Sequence, residues 1–259
     1  MTGTRHDYER QATLYDATRS ASPSILRPLL SALDGAPGPR LLDVGGGTGN
    51  YARAVAARGF DPVIVDVAPA MLARAKGKEL AVVRGEAAAL PFRAETVDAV
   101  LLVSMLHLVP DWPRALAEAR RVLRPGGRLG LMLYAREHLE VHWIFEYFPT
   151  SRAWVVPEHQ RMGDVTAALP DARVLPFEFD DVDDGALAAL CRRPELILDP
   201  ARRARTSYFE RLAASDPAEL ARGLDRLAHD LARGRRPDEE MAPLRARWGD
   251  GAVLAWRKP

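Results

Sequence analysis

The stretch Leu41-Leu42-Asp43-Val44-Gly45-Gly46-Gly47-Thr48-Gly49-Asn50-Tyr51-Ala52 decides the fold. A short apolar run carrying one acid reads as a buried strand, and the glycines that follow permit a tight turn whose backbone comes close to a ligand. The segment after them reads as a helix, so the turn ends at a helix N-terminus, where backbone amides face outward. Residues 47 to 52 also satisfy the G-x-G-x-x-A dinucleotide pattern, with Asp66 at about the right distance to hold a ribose. Two classes of adenosyl ligand therefore compete for this loop.

Working outward, the pattern predicts strands at Arg40 to Val44, Pro62 to Asp66, Leu80 to Arg84, Val97 to Val103 and Arg128 to Tyr134. Between them it predicts helices at Gly49 to Arg58, Ala70 to Lys76 and Trp112 to Leu123, the last ended by Pro125-Gly126-Gly127. Such alternation implies a parallel sheet with helices on both faces and ligands at the carboxyl ends of the strands. Upstream, Tyr8, Leu14 and Tyr15 and then Ser24 to Leu33, introduced by Pro23, read as helical. Downstream, His138 to Phe148 and Gly163 to Leu169 read as helices and Arg173 to Phe179 as a strand. Several helices follow through Arg233, and Ala252 to Arg257 reads as a last strand.

The 259 residues, 47% hydrophobic and 27% charged with a formal net charge of +1, suit one large α/β domain and exclude a disordered or fibrous chain. Only Lys76, Lys78 and Lys258 are lysines among 36 basic residues, so 33 are arginines. From Asp183 to Asp250, 13 acids interleave with 13 arginines, which is no single-sign nucleic-acid stripe. The lone Cys191 makes neither an intramolecular disulfide nor a Cys-rich zinc site. With no charged-then-apolar leader and no apolar run of about 20 residues, a cytoplasmic protein without a membrane span is expected.

Charge separates the two ligand classes. A nicotinamide dinucleotide would set its pyrophosphate over a loop that already carries Asp43, whereas S-adenosylmethionine presents an ammonium and a sulfonium that an acid favours. Gly85-Glu86-Ala87, after the third strand, adds an acid beside an apolar residue, which suits an adenine edge. Asp43 to Asn50, Val65-Asp66-Val67-Ala68-Pro69-Ala70-Met71-Leu72, Gly85 to Phe92 and Leu123-Arg124-Pro125-Gly126-Gly127 resemble, in that order, the class I S-adenosylmethionine-dependent methyltransferases. The resemblance covers roughly residues 8 to 135.

It implies a Rossmann-like α/β fold with a mostly parallel seven-stranded sheet, an antiparallel last strand, an N-terminal helical cover and a helical acceptor cap. It also implies that Gly45, Gly47 and Asn50 lie against the methionine part, Asp43 supports its ammonium, and Asp66 takes the ribose hydroxyls. Val67 and Met71 would flank adenine, Glu86 and the Ala87 backbone would read its edge, and Ser104 would offer its carbonyl to the ammonium. Glu86 is a departure, since the family more often has Asp there. Tyr15 and Arg19, in the stretch that looks like the family's cover, would close over the cofactor and pair with its carboxylate.

On the acceptor side His107, after the fourth strand, is the candidate general base, because histidine titrates near the working pH. Val103 to Leu106 lacks the Asn/Asp-Pro-Pro-aromatic pattern of methyltransferases acting on nucleobases, which points away from nucleic acid. His138 and His142 stand one helical turn apart without the metalloprotease arrangement, so an acceptor role is expected rather than a metal. With Trp143, Phe145, Tyr147, Phe148, Arg152 and Trp154 they would build an aromatic pocket wall. Arg152 or the pair Arg192 and Arg193 would bind an acceptor carboxylate, and Cys191, Tyr208 and Phe209 would belong to a lid. One domain is expected over 1–259, with a cover at 1–36, a cofactor core at 37–136 and an acceptor half at 137–259 holding a helical insertion at about 183–248. That layout is similar to small-acid methyltransferases of the trans-aconitate type. The expectation is methyl transfer to a small molecule, oxygen slightly ahead of carbon or nitrogen. The alternatives are a nicotinamide-dependent oxidoreductase and a protein that binds the cofactor without transferring methyl.

Overall fold

A computed structural model describes residues 21–140, 142–180 and 186–259. Tyr15 and Arg19 lie outside the described residues. Seven strands, β1 (Arg40–Val44), β2 (Asp61–Asp66), β3 (Ala81–Arg84), β4 (Val97–Val103), β5 (Leu123–Leu133), β6 (Arg173–Phe177) and β7 (Gly251–Arg257), form one sheet. Its order is β3-β2-β1-β4-β5-β7-β6. β1 to β5 run parallel, and β7 is antiparallel to both of its neighbours. The order reverses between β1 and β4, so the loops after these two strands open a crevice at the switch point.

Strand alternation builds two cores. Leu41, Ala99, Leu101, Met132 and Val253 face one side, where the Pro23–Leu33 helix covers them with Ile25, Leu29, Ala32 and Leu33. Leu42, Val100, Leu102, Leu129, Leu131 and Leu254 face the other, against Leu116, Ala119 and Val122 of the Trp112–Val122 helix. Within β4 the buried Asp98 is balanced by the Arg40 amide at 3.0 Å and the Arg124 guanidinium at 2.9 Å. β5 starts earlier than the glycines suggest: Val97 pairs with Leu123 across a register shift, and the turn at Gly126, with φ +79°, lies inside the strand's span.

The second half departs further from expectation. His138 to Phe148 is not one helix but two short ones, Arg136–Leu139 and Ile144–Tyr147. The His138 ring accepts the Ala135 amide and so caps the start of the first helix, while the His142 ring, beyond its end, accepts the Ile144 amide at the start of the second. The helices Pro149–Glu158 and Met162–Ala168 follow before β6. Between β6 and β7 the described helices run from Leu187–Leu190 to Ala242–Trp248, the longest being Pro217–Ala232.

These helices carry a third apolar core of Phe145, Phe148, Leu190, Ile197, Tyr208, Phe209, Leu212 and Leu227. Pro217–Ala232 approaches Phe148 so closely that a Cβ at Gly223 would overlap its ring. The buried Glu219 accepts from the Thr150 amide at 3.1 Å and from its hydroxyl at 2.6 Å, fastening the two segments of the cap. Among the described residues no helix is long and apolar enough to cross a membrane.

Candidate active site

The loop after β1 is shaped by three glycines in the left-handed region: Gly45 at φ +69°, Gly47 at +55° and Gly49 at +81°. A Cβ at Gly45 would lie 2.9 Å from Met105, while at Gly47 the nearest atom is the Met71 sulfur at 3.9 Å. Gly45 is thus locked by packing, and Gly47 leaves room beside its backbone. Asp66, at the end of β2, pins the loop by accepting the Gly47 amide at 3.0 Å on one oxygen and the Ala68 amide at 2.9 Å on the other. Each oxygen keeps a second lone pair for another donor.

Beneath the loop Asp43 is 1% exposed, and neither carboxylate oxygen has a hydrogen-bond partner. Burial, reinforced by the nearby Asp66 charge, raises its carboxyl from the usual 3.8 to about 7. The Ala52 amide opposes this without completing a hydrogen bond. An orphaned buried carboxylate is costly and needs a reason.

A cavity of about 750 Å³ opens at this edge of the sheet. Its sheet-edge lining comes from successive strand ends: Gly45, Gly46, Gly47 and Asn50 after β1; Asp66, Val67 and Met71 at and after β2; Glu86 and Ala87 after β3; Ser104, Met105 and His107 after β4. Asn50 accepts from the Lys78 ammonium at 2.8 Å, which also donates to the Thr48 carbonyl. Val67 is 48% exposed although apolar, as a residue flanking a planar ligand would be. Ser104 sits at φ +50°, a strained conformation for a residue with a Cβ. Its amide donates to the Met132 carbonyl at 3.1 Å, which holds that conformation and ties the loop after β4 to β5.

Away from the strand ends the cavity continues under the cap, against Leu139, Ile144, Phe145, Trp154, Val155 and Tyr208. Four histidines line it, and their hydrogen bonds differ. His138 uses both nitrogens on the backbone: Nδ1 accepts the Ala135 amide at 3.0 Å and Nε2 donates to the Trp248 carbonyl at 2.9 Å, so it is a structural strut. His138, expected to bind acceptor, lines the cavity but has no ring nitrogen left over for a ligand. His142 accepts from the Ile144 amide on Nδ1, and burial, helped by Arg245, lowers its pKa to about 4, so it is neutral and carries its proton on Nε2. His159 donates from Nδ1 to the Val155 carbonyl at 2.9 Å. Its ring lies parallel to His107, with centroids 4.7 Å apart and planes inclined by 8°.

Of the expected aromatic and arginine wall, Phe145 and Trp154 line the cavity, and Trp143, Tyr147, Phe148 and Arg152 do not. Trp143 donates to the Cys191 carbonyl, and the Tyr147 hydroxyl donates to Asp230 at 2.8 Å; both belong to the cap's own packing and do not line the cavity. Arg152 is exposed and away from it. Arg192 is occupied by Glu178 at 3.1 Å, with Asp250 at 3.8 Å. Cys191 is buried in the cap core, where burial holds its thiol protonated. Of the lid candidates Tyr208 does line the cavity, while Phe209 packs behind it.

The one guanidinium in the described lining belongs to Arg211, which lies 4.1 Å over the Trp154 ring and pairs with Glu158 at 2.7 Å. Around it stand five carboxylates, from Asp66, Glu86, Asp111, Glu158 and Asp250, so the lining is acidic. His159 and Arg211 carried no sequence signal, since each is a single residue in or beside an amphipathic or proline-interrupted helix. Among the described residues no group of three His, Cys, Asp or Glu side chains comes together to hold a metal ion.

Comparison with known proteins bears on this geometry. Residues 42–131 match the family model described as a methyltransferase domain. An uncharacterized methyltransferase of Mycobacterium bovis is 42% identical over 109 residues, 41% of this chain and 44% of the relative. This chain therefore spans less than half the length of the first curated relatives it matches. A ubiquinone/menaquinone biosynthesis C-methyltransferase of Acidiphilium cryptum is 34% identical over 167 residues, covering 58% of this chain and 67% of the relative. A crystal structure described as an antibiotic-pathway methyltransferase of Anabaena variabilis superposes with a TM-score of 0.73 at 22% identity, over 93% of this chain and 96% of the other. At that identity the likeness bears on the fold alone.

Proposed function

The chain belongs to the class I S-adenosylmethionine-dependent methyltransferases, and from that premise we propose that it transfers a methyl group from S-adenosylmethionine to a small, flat, uncharged acceptor in the cytoplasm. The observation that carries this reading is Asp43, a buried carboxylate without a partner directly under the glycine loop. A ligand ammonium over that loop, directly or through water, would supply the missing partner, whereas a pyrophosphate would add like charge.

The chain's groups fit the cofactor in kind. Asp43, Gly45, Gly47 and Asn50 would hold the methionine end, with the Ser104 carbonyl as a further acceptor. Asp66 would bind ribose hydroxyls with the lone pairs left over from its two amide bonds. Val67 and Met71 would flank the adenine, with Glu86 and Ala87 at its edge. When bound, S-adenosylmethionine supplies an electrophilic methyl on a sulfonium whose departure needs no protonation. The protein's work is then to orient the acceptor, keep water out and take up a proton; orientation alone is worth roughly 7–11 kcal/mol in favourable cases.

Acceptor character follows from the cap. With five carboxylates against one already paired guanidinium, a dianionic small acid is disfavoured, and the apolar wall of Ile144, Phe145, Trp154 and Val155 suits a flat organic body. The stacked rings of His107 and His159 on the cavity wall support oxygen as the nucleophile, since a histidine is the kind of proton acceptor that a hydroxyl needs. Carbon is the second reading, because one relative is by name a C-methyltransferase. Methyl-labelled S-adenosylmethionine offered with naphthols and with hydroxy acids of similar size tests this. Label should enter the naphthols and S-adenosylhomocysteine should accumulate. Cofactor binding without any S-adenosylhomocysteine would leave a binding protein, and label confined to the hydroxy acids would reverse the acceptor assignment.

A further inference from the structure

His159 is the group that the cap contributes to the reaction chemistry: we propose that its Nε2 accepts the proton of a hydroxyl on the acceptor, with His107 serving as the stacked ring that holds it in position. This rests on reading the apolar end of the cavity as the acceptor pocket.

A carbonyl oxygen only accepts, so the 2.9 Å bond to Val155 places a proton on Nδ1. In the neutral ring Nε2 then carries a lone pair, and no described protein group donates to it. The backbone around the ring is clamped as well. The His159 amide bonds to the Val156 carbonyl at 3.3 Å, and its own carbonyl accepts from the Arg136 guanidinium at 3.2 Å. The next residue, Gln160, accepts the Arg136 amide at 2.8 Å and reaches the Leu106 carbonyl in the turn that carries His107. The nearly parallel stack on His107 therefore joins two anchored segments, one from the sheet edge and one from the cap.

His138 and His142, which also line the cavity, are excluded from this role by their own bonds. His138 has both nitrogens engaged, and His142 has its lone pair on Nδ1, already taken by the Ile144 amide. Only a histidine bonded through Nδ1–H to a carbonyl presents a fixed acceptor to a ligand, as the orienting partner of a catalytic base does.

In the proton transfer the acceptor's O–H bond breaks and its electron pair stays on oxygen. An N–H bond forms at Nε2, and the imidazolium retains its Nδ1–H bond to Val155. An oxyanion formed this way is the nucleophile for oxygen methylation, and on a phenol it also activates the adjacent ring carbon, so one base serves both readings of the reaction.

Burial pushes the His159 pKa below its usual 6.5. Arg136 and His138 act in the same direction, the Val155 carbonyl and Glu158 oppose them, Arg211 is bonded to Glu158, and His107 faces the ring. His159 is therefore neutral and competent at neutral pH, and a rate that needs it falls as pH drops through a value below 6.5.

The test starts with nitrogen-15 spectra of the histidine rings in the ligand-free full chain. At pH 7.5 His159 should be protonated on Nδ1 and bare on Nε2, and 1-naphthol should shift Nε2 where 1-methoxynaphthalene does not. H159F retains a ring to stack on His107 but no nitrogen. With 1-naphthol as acceptor it should lower kcat by about 10²–10⁴ and remove the acidic limb of the pH profile, leaving S-adenosylhomocysteine affinity within about twofold. A proton on Nε2, or an H159F enzyme with native kcat, would overturn the proposal. Failure of S-adenosylhomocysteine to bind the native chain would instead overturn the methyltransferase reading.

Discussion

The loops at the ends of β1 to β4 and the helices of the cap both line one cavity, yet they are built on opposite principles. In the sheet half, backbone geometry makes the site: glycines at positive φ, Asp66 using one lone pair of each oxygen on loop amides, and Asp43 left without a partner. Polar groups there are under-used by the protein itself. In the cap, polar groups are taken up by folding. Tyr147 is bonded to Asp230, Arg235 to Glu146 and Glu240, and Glu219 to Thr150, around an aromatic core that would otherwise have no reason to sit where it does. Unused hydrogen-bonding capacity, more than residue type, separates ligand-facing residues from structural ones.

Breaking the sheet half should give the largest effect. Gly45→Val forces a branched side chain into φ +69° against Met105, and S-adenosylhomocysteine affinity measured by calorimetry should fall by about a hundredfold or more. Asp66→Ala removes both pins of the loop and the charge-assisted bonds proposed to the ribose, and should weaken binding by roughly 1.5–3 kcal/mol. Unchanged affinity would place the ribose elsewhere.

In the cap the expected effect changes kind. Gly223→Ala should lower stability by about 1–3 kcal/mol in thermal or denaturant unfolding, because its Cβ would overlap Phe148, while cofactor affinity stays native. A stable variant would mean that the cap core is looser than its packing implies.

A smaller effect tests Asp43 by pH. Its carboxyl, raised to about 7, is mostly neutral at pH 6 and ionised at pH 8, so affinity for the ammonium-bearing S-adenosylhomocysteine should rise severalfold across that window. The ligand-free fold should lose stability as pH rises from about 4 to 7. Over that interval the folded state holds a proton that the unfolded chain, with its carboxyl near 3.8, has released. Asp43→Asn should flatten both dependences. The smallest effect is Arg152→Ala: an exposed residue away from the cavity should change stability by no more than about 0.5 kcal/mol and leave the acceptor KM as it was.

The same division explains what could be read from the chain beforehand. β1 and β4 match their expected limits, and the other sheet elements shift mainly at their ends, because apolar runs bounded by glycine and proline are local signals. Asp43, Asp66 and Glu86 stand out because each lies within, ends or follows a strand inside a short motif. No such signal marks the cap. His138 and His142 are spaced as on one helical face, but the His138 ring caps the start of one short helix and the His142 ring bonds the first amide of the next. Arg192 looked like an anion site, yet Glu178, fourteen positions away, already holds it. His159 was invisible because its neighbour His107 lies far upstream in the chain and only tertiary packing brings the rings together.

The most direct measurement is calorimetric titration of the full chain with S-adenosylhomocysteine and, separately, with NAD. An acid buried beneath the glycine loop predicts saturable binding of S-adenosylhomocysteine and no detectable heat with NAD. Tight binding of NAD with none of S-adenosylhomocysteine would contradict the account at its foundation.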